Sequence, residues 1–183
     1  MLPQLKWKRP SSVAVPNVWL RFRGKDLDSN ELVEYRIEDL SEDRIEEAIN
    51  FMTDYYLAHE PHGKARDVLR TDPGYVRSWQ DIWRVQLAQR MTLICCKEGS
   101  DEIIGANVLY ILTREDDLLE QAESQSENTS FRELFRLFRV IYEEGKFNVW
   151  DKYGVDSYMA SFGLCVSPKY RGRMIGDRLL QSR

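Results

Sequence analysis

Apolar positions recur along the chain at two spacings, and the changes between them predict an order of elements. Glu31-Leu32-Val33-Glu34-Tyr35-Arg36-Ile37 alternates in part, as a strand does. From Ser41, with acidic Glu42 and Asp43 in the first turn, Ile45, Ala48, Ile49, Met52, Tyr55 and Tyr56 recur every three or four residues. That spacing predicts one buried helical stripe, ending before Pro61. Asp72-Pro73 predicts a second helix start, followed by an apolar face of Tyr75, Val76, Trp79, Ile82, Trp83 and Leu87. Residues 91–96 and 103–112 read as two strands joined by a polar turn carrying Gly99, hence a hairpin.

The acidic, Ser/Gln-rich stretch 114–129 reads as a solvated loop. Ser130-Phe131-Arg132-Glu133 reads as a capping box, opening a helix whose apolar side is Phe131, Leu134, Phe135, Phe138 and Ile141. Residues 157–166 predict another strand, and a basic glycine loop leads into a last helix from Asp177. Residues 1–30 are polar and proline-containing, with Trp7, Trp19 and Phe22. They read as an N-terminal extension packing partly over a domain that spans 31–183. The order is strand, helix, helix, strand, strand, inserted helix, strand, helix, which is an α/β (α+β) class.

Composition narrows this. With 183 residues, 43% hydrophobic and 11% aromatic, the chain can bury enough surface for one domain, which excludes a disordered polymer. Its 26 basic and 30 acidic side chains give a net charge of −4, without the basic excess a nucleic-acid partner would need. No stretch of 18 uninterrupted apolar residues predicts a membrane span. The first ten residues lack the apolar core of a secretory signal. Cys95, Cys96 and Cys165 read as buried free thiols of a reducing cytosol, the first two on opposite faces of a strand. No metal site is expected: Cys95-Cys96 is not C-x-x-C, and His59-Glu60-Pro61-His62 is not H-E-x-x-H.

One segment carries distinctive chemistry. Val166-Ser167-Pro168-Lys169-Tyr170-Arg171-Gly172-Arg173-Met174-Ile175-Gly176-Asp177 follows a strand and opens a helix. Such a turn gathers backbone N–H groups in one concavity suited to a pyrophosphate, with Arg171 and Arg173 as charged donors and Gly172 and Gly176 leaving room for close approach. A glycine-bearing turn with solvated arginines is the plainer reading of the same residues.

This string resembles motif A of the GNAT superfamily of N-acetyltransferases, Arg/Gln-x-x-Gly-x-Gly/Ala after an apolar strand. The segment 51–61, ending His59-Glu60-Pro61, resembles the Asp-Glu-Pro segment of insect arylalkylamine N-acetyltransferases. The resemblance covers about 31–183 and implies a GNAT fold, a mixed sheet flanked by helices. It implies acetyl transfer from acetyl-CoA to a small-molecule amine. Backbone groups of Leu164, Cys165 and Val166 would hold the pantetheine arm, and residues 172–177, including Ile175 and Asp177, would cradle the pyrophosphate. Glu60 would be the general base, directly or through water, in a site that raises its basicity by burial. Tyr55 and Tyr56 would line an apolar amine pocket.

The resemblance also marks departures. Met174 takes the glycine position of Arg-x-x-Gly; if that position needs a positive φ, its side chain costs about 1–2 kcal/mol. Cys165 and Lys169 fall where the insect enzymes place serines, so Cys165 stands at a position of catalytic interest. Arg183 falls one or two turns into the motif A helix. The superfamily pattern continues with further strands and a helix that complete the cleft, so a truncated domain with little turnover is expected of these residues alone. The alternative left open is a CoA-binding or interaction module that binds without reacting.

Overall fold

The computed structural model describes residues 5–29, 31–145 and 148–183, except the side chain of His62. Residues 1–4 and 30 of the expected extension, and the histidine that would have closed a metal motif, therefore lie outside the described residues.

The sheet begins earlier than the hydrophobic pattern predicts. Strand β1, Val18–Lys25, comes from the stretch expected to be an extension and pairs antiparallel with β2, Leu32–Asp39. β1 is an edge strand with only Phe22 buried, stacked on its partner Tyr35 at 5.5 Å. One buried side chain, with half-buried Leu20 two residues before it, leaves too short an alternation to read. The segment before it is pinned through Asp39, whose carboxylate accepts from Arg9 at 2.9 and 3.1 Å, Asn17 N at 3.0 Å and Trp19 Nε1 at 2.9 Å. Asp39 is 2% exposed, and the pair is held by several donors at once, as a buried carboxylate requires.

After a short 3-10 turn at Glu42–Arg44, helix α1 runs Ile45–Phe51 and widens into a π-helical turn over Met52–Leu57. Ser41 makes no side-chain cap. Ala48, Ile49 and Met52 are buried, and Ile45, Tyr55 and Tyr56 are half-buried, so the predicted stripe faces the core. Pro61 opens the next short helix, α2 (Pro61–Ala65), where its missing N–H costs nothing. Helix α3 (Val68–Thr71) leads to α4, Pro73–Leu87, which Asp72 caps by accepting from Tyr75 N at 2.9 Å.

Strands β3 (Leu93–Lys97) and β4 (Gly105–Thr113) form the expected hairpin, with Gly99 at φ +79° in its turn. They pair only from Leu93 to Cys95. Beyond that, the Gln89 side chain serves as β4's partner: Ile111 N donates to its Oε1 at 2.6 Å and its Nε2 donates to Ile111 O at 3.0 Å. Cys95 and Cys96 do face opposite sides of the sheet, one in each hydrophobic cluster.

The expected loop at 114–129 contains a helix, α5, Leu118–Gln125. Asp117 caps it through Glu120 N at 2.9 Å, and Leu118 and Ala122, one turn apart, are buried within an otherwise acidic run. Helix α6, Thr129–Glu144, is capped by Asn128, which accepts from Phe131 N at 2.9 Å, and not by Ser130. Phe131, Leu134 and Phe135 are buried, whereas Ile141, expected on the same side, is 59% exposed. A short helix α7 (Val149–Tyr153) precedes β5, Ser157–Val166, and α8 spans Ile175–Gln181.

The α/β architecture is that expected, with one correction. Sheet order is β1-β2-β3-β4-β5 with every pairing antiparallel, so within the described residues the sheet is not mixed. Each strand runs back along its predecessor, even across the helical insertion between β4 and β5. One face packs against α1, α4 and α6; the other packs against α8 through Ile175 and Leu179.

Candidate acetyl-transfer site

β5 positions the site, because it lies at the end of the sheet and carries an irregularity. Its register with β4 shifts between Asn107↔Leu164 and Leu109↔Ser161. Phe162 and Gly163 together therefore oppose Val108, which is a β-bulge. Gly163 sits at φ +119°, and a Cβ there would lie 2.9 Å from Met52 Cε and 3.1 Å from the Tyr56 ring. The bulge thus needs glycine for both conformation and space. An isolated glycine inside a strand pattern signals a bulge; that signal was present in the sequence, and the motif reading omits it.

Beyond the bulge the ladder fixes which backbone groups face outward. Ser167 N donates to Ile104 O at 2.9 Å, in register with Gly105↔Val166 and Ala106↔Cys165. The alternation of an antiparallel pair then turns the N–H and C=O of Cys165 toward β4, and those of Leu164 and Val166 to the open edge. Of the three residues expected to offer backbone groups to a ligand, Leu164 and Val166 turn theirs to the open edge and Cys165 turns its own to β4. The Val166 carbonyl also accepts from Arg171 Nε at 3.2 Å.

Below that edge, Val166, Tyr170, Arg171, Gly172, Met174, Ile175 and Gly176 line a concavity of about 300 Å³. Gly172 adopts φ +78° with open space around it, so it serves the turn itself. Met174 adopts φ 64° at the N-cap of α8, with its side chain 58% exposed. The positive φ on which the cost at this position depends is therefore present. The two arginines differ: Arg171 lines the concavity, while Arg173 does not. Its guanidinium donates to the carbonyls of Lys25, Asp26, Lys169 and Arg171 at 2.9–3.3 Å, bracing the loop against the end of β1. Asp177 is exposed, accepts from Gln181 Nε2 at 3.0 Å, and also stands outside the concavity.

The other half of the site comes from the π-helical turn and α2. Glu60 is half-buried, and one carboxylate oxygen accepts from Gly63 N at 2.6 Å. Tyr56 packs edge-on against Trp83 at 6.0 Å and beside Trp79 at 6.1 Å. Burial above all, then the charges of Glu60 and Cys165, push the Tyr56 hydroxyl up to about 12, so Tyr56, Glu60 and Cys165 share one neighbourhood. Tyr55 turns elsewhere, its ring 5.0 Å from Phe51. Burial pushes the Cys165 thiol up to about 11 against the opposing pull of Arg171, so at neutral pH it is protonated and a poor nucleophile. Among the described residues no group of three or more His, Cys, Asp or Glu side chains is placed to hold a metal ion, and no helix is long and apolar enough to cross a membrane.

Among solved structures the chain is similar to a mosquito protein assigned as arylalkylamine N-acetyltransferase 7, from Aedes aegypti, at 39% identity and a TM-score of 0.80. The match covers 97% of this chain and 72% of that one. It is similar in fold to arylalkylamine N-acetyltransferase 2 of Aedes aegypti, at 21% identity and a TM-score of 0.69 over 80% of this chain and 67% of that one. The Drosophila melanogaster polyamine N-acetyltransferase, which forms N-acetylagmatine, matches at 15% identity and a TM-score of 0.63 over 81% and 68%. No family sequence model matches the chain, and neither does any curated protein. The fold shared with these structures is that of the GNAT N-acetyltransferases. Within that class, the chain belongs to the insect arylalkylamine N-acetyltransferase family.

Proposed function

We propose that the chain transfers acetyl from acetyl-CoA to the primary amine of an arylalkylamine. The carrying observation is that β5 offers the outward edge of Leu164 and Val166 directly above the 166–176 concavity, while its bulge meets Tyr56, the neighbour of Glu60. An extended amide chain fits that edge as an added strand would, and the concavity suits a phosphate group approached by Arg171. Acetyl-CoA supplies the thioester-activated acetyl group. The amine nitrogen forms the new C–N bond as the C–S bond breaks, its proton passes to the Glu60 carboxylate directly or through water, and the sulfur leaves with the electron pair. Half-buried Tyr56 provides an apolar wall beside Glu60, suited to an aromatic amine. Cys165 acts as a filler and not as a nucleophile, since a thiol held protonated gives no thiolate for attack.

The test is thiol release from acetyl-CoA in the presence of dopamine-like, serotonin-like and agmatine-like amines, alongside calorimetric titration of CoA. Release that is slow from these 183 residues alone, and greatest with the aromatic amines, is expected. Tight CoA binding without release for any amine would favour a module that binds and does not react, and absent CoA binding would overturn the reading entirely.

A further inference from the structure

The β5 bulge is held from the helix side by a single side-chain donor. Trp83, fully buried on α4, donates its indole Nε1–H to the carbonyl of Phe162 at 3.2 Å. Phe162 is the first of the two residues that face Val108, so its peptide lies where the β4–β5 ladder is interrupted. The indole is itself fixed, 5.3 Å from Trp79 and edge-on to Tyr56 at 6.0 Å. From the adjoining side, Met52 and Tyr56 fill the space a Gly163 side chain would take. The two peptides before Leu164 are thus gripped between an α4 hydrogen-bond donor and the π-helical turn that leads to Glu60.

We infer that Trp83 is a positioning residue for the transfer reaction. Through the Phe162 carbonyl it sets the tilt of the bulge, and with it the direction of the outward Leu164 backbone groups. A β-bulge left to itself has a soft backbone, because its extra residue lacks ladder bonds. A donor locked by packing loses little freedom on bonding, so one such hydrogen bond holds one geometry. This inference rests on the proposed role of the β5 edge in holding CoA.

The experiment is Trp83→Phe, which keeps a ring in the cluster and removes the N–H. Two readouts are followed: CoA affinity by calorimetry and amide hydrogen exchange along β4 and β5 without ligand. Loss of one neutral hydrogen bond corresponds to about a fivefold effect. CoA affinity should weaken about fivefold, and the Gly163 and Cys165 amides, at the bulge and on the β4 side just after it, should exchange about fivefold faster while the rest of β4 is unchanged. Unchanged exchange at Gly163 and Cys165, or an equal rise along the whole of β4 and β5, would overturn the positioning role. Wild-type protein that binds no CoA, with bulge exchange still raised by Trp83→Phe, would locate the failure in the proposed function instead. Should the variant fold poorly, exchange of the wild-type Trp83 indole proton decides: slow exchange is expected, and free exchange overturns the inference.

Discussion

The glycine loop at 166–177 and the corner formed by Tyr56, Glu60 and Gly163 adjoin the same strand, yet they are built in different ways. The loop is contiguous in sequence and offers mainly backbone: Gly172 and Met174 both in left-handed conformations, exposed Arg171, and Arg173 committed to backbone carbonyls. The corner gathers side chains from the π-helical turn, the residues just before α2, α4 and β5, with Met52, Trp83 and Cys165 buried and Tyr56 and Glu60 half-buried. Backbone recognition tolerates changes of side chain but depends on φ and ψ. Side-chain chemistry depends on packing, so its parts shift when neighbours shift.

The sharpest way to break this contrast is at Glu60. Glu60→Gln retains an oxygen that can accept from Gly63 N but cannot take a proton from the amine. Acetyl transfer should fall about 10²–10⁴-fold in kcat/KM while CoA affinity, which the proposed function assigns to the loop and strand edge, stays as it was. Equal losses in both would show that the two regions are not separable and that Glu60 shapes the CoA site.

Gly163→Ala tests whether the corner depends on space. The new Cβ would meet Met52 Cε at 2.9 Å in a backbone conformation that side chains rarely adopt. Strain and overpacking together predict a loss of about 2–4 kcal/mol in chemical denaturation. Gly172→Ala, in the loop, has open space around it and should lose only the cost of its positive φ, about 1–2 kcal/mol. Similar losses at the two glycines would erase the distinction.

The same contrast governs what could be read from the amino acids alone. Asp72-Pro73 announced α4 because cap and first turn are adjacent, and the 166–177 string announced its loop for the same reason. β1 escaped notice because Phe22 is its one buried residue, and α5 because its apolar residues Leu118, Leu119 and Ala122 are few in an acidic run. Asn128 and Ser130 are both competent caps, and the choice between them followed from Asn128 also donating to Asp72 Oδ1 at 2.9 Å, a contact 56 residues away. The Trp83–Phe162 bond spans 79 residues and has no local signature. Even within the legible motif, the sequence could not tell Arg171 from Arg173, because the carbonyls that occupy Arg173 belong partly to Lys25 and Asp26.

Alkaline pH sharpens the comparison through the buried thiols. Cys165, at the corner, is held up to about 11 from an ordinary value of 9.0, and Cys96 likewise. A thiol with a higher pKa folded than unfolded is neutral in both states below pH 9, where it adds no slope. Between pH 9 and about 11 the unfolded chain releases the proton first, so stability falls as pH rises. Cys165→Ala should remove a pH-dependent penalty of about 1.4 kcal/mol at pH 10, seen as a shallower decline in denaturant midpoint from pH 8 to 10. An unaltered decline would mean that this thiol is already accessible to water.

The smallest effect belongs to the loop, where Met174 pits two opposing terms against each other. Its left-handed conformation costs about 1–2 kcal/mol, and because its side chain is 58% exposed, truncation forfeits little burial. Met174→Gly recovers that strain but gives the unfolded chain more freedom, a cost of about 0.4–1 kcal/mol. The strain term is the larger, so a net gain of about 0.5–1 kcal/mol is expected, which thermal denaturation resolves as a rise of a few degrees. The substitution also clears the rim of the concavity, so CoA affinity should rise in parallel. Greater stability with unchanged affinity would separate the two roles of the position: the backbone would be strained there, but the methionine would not crowd the phosphates.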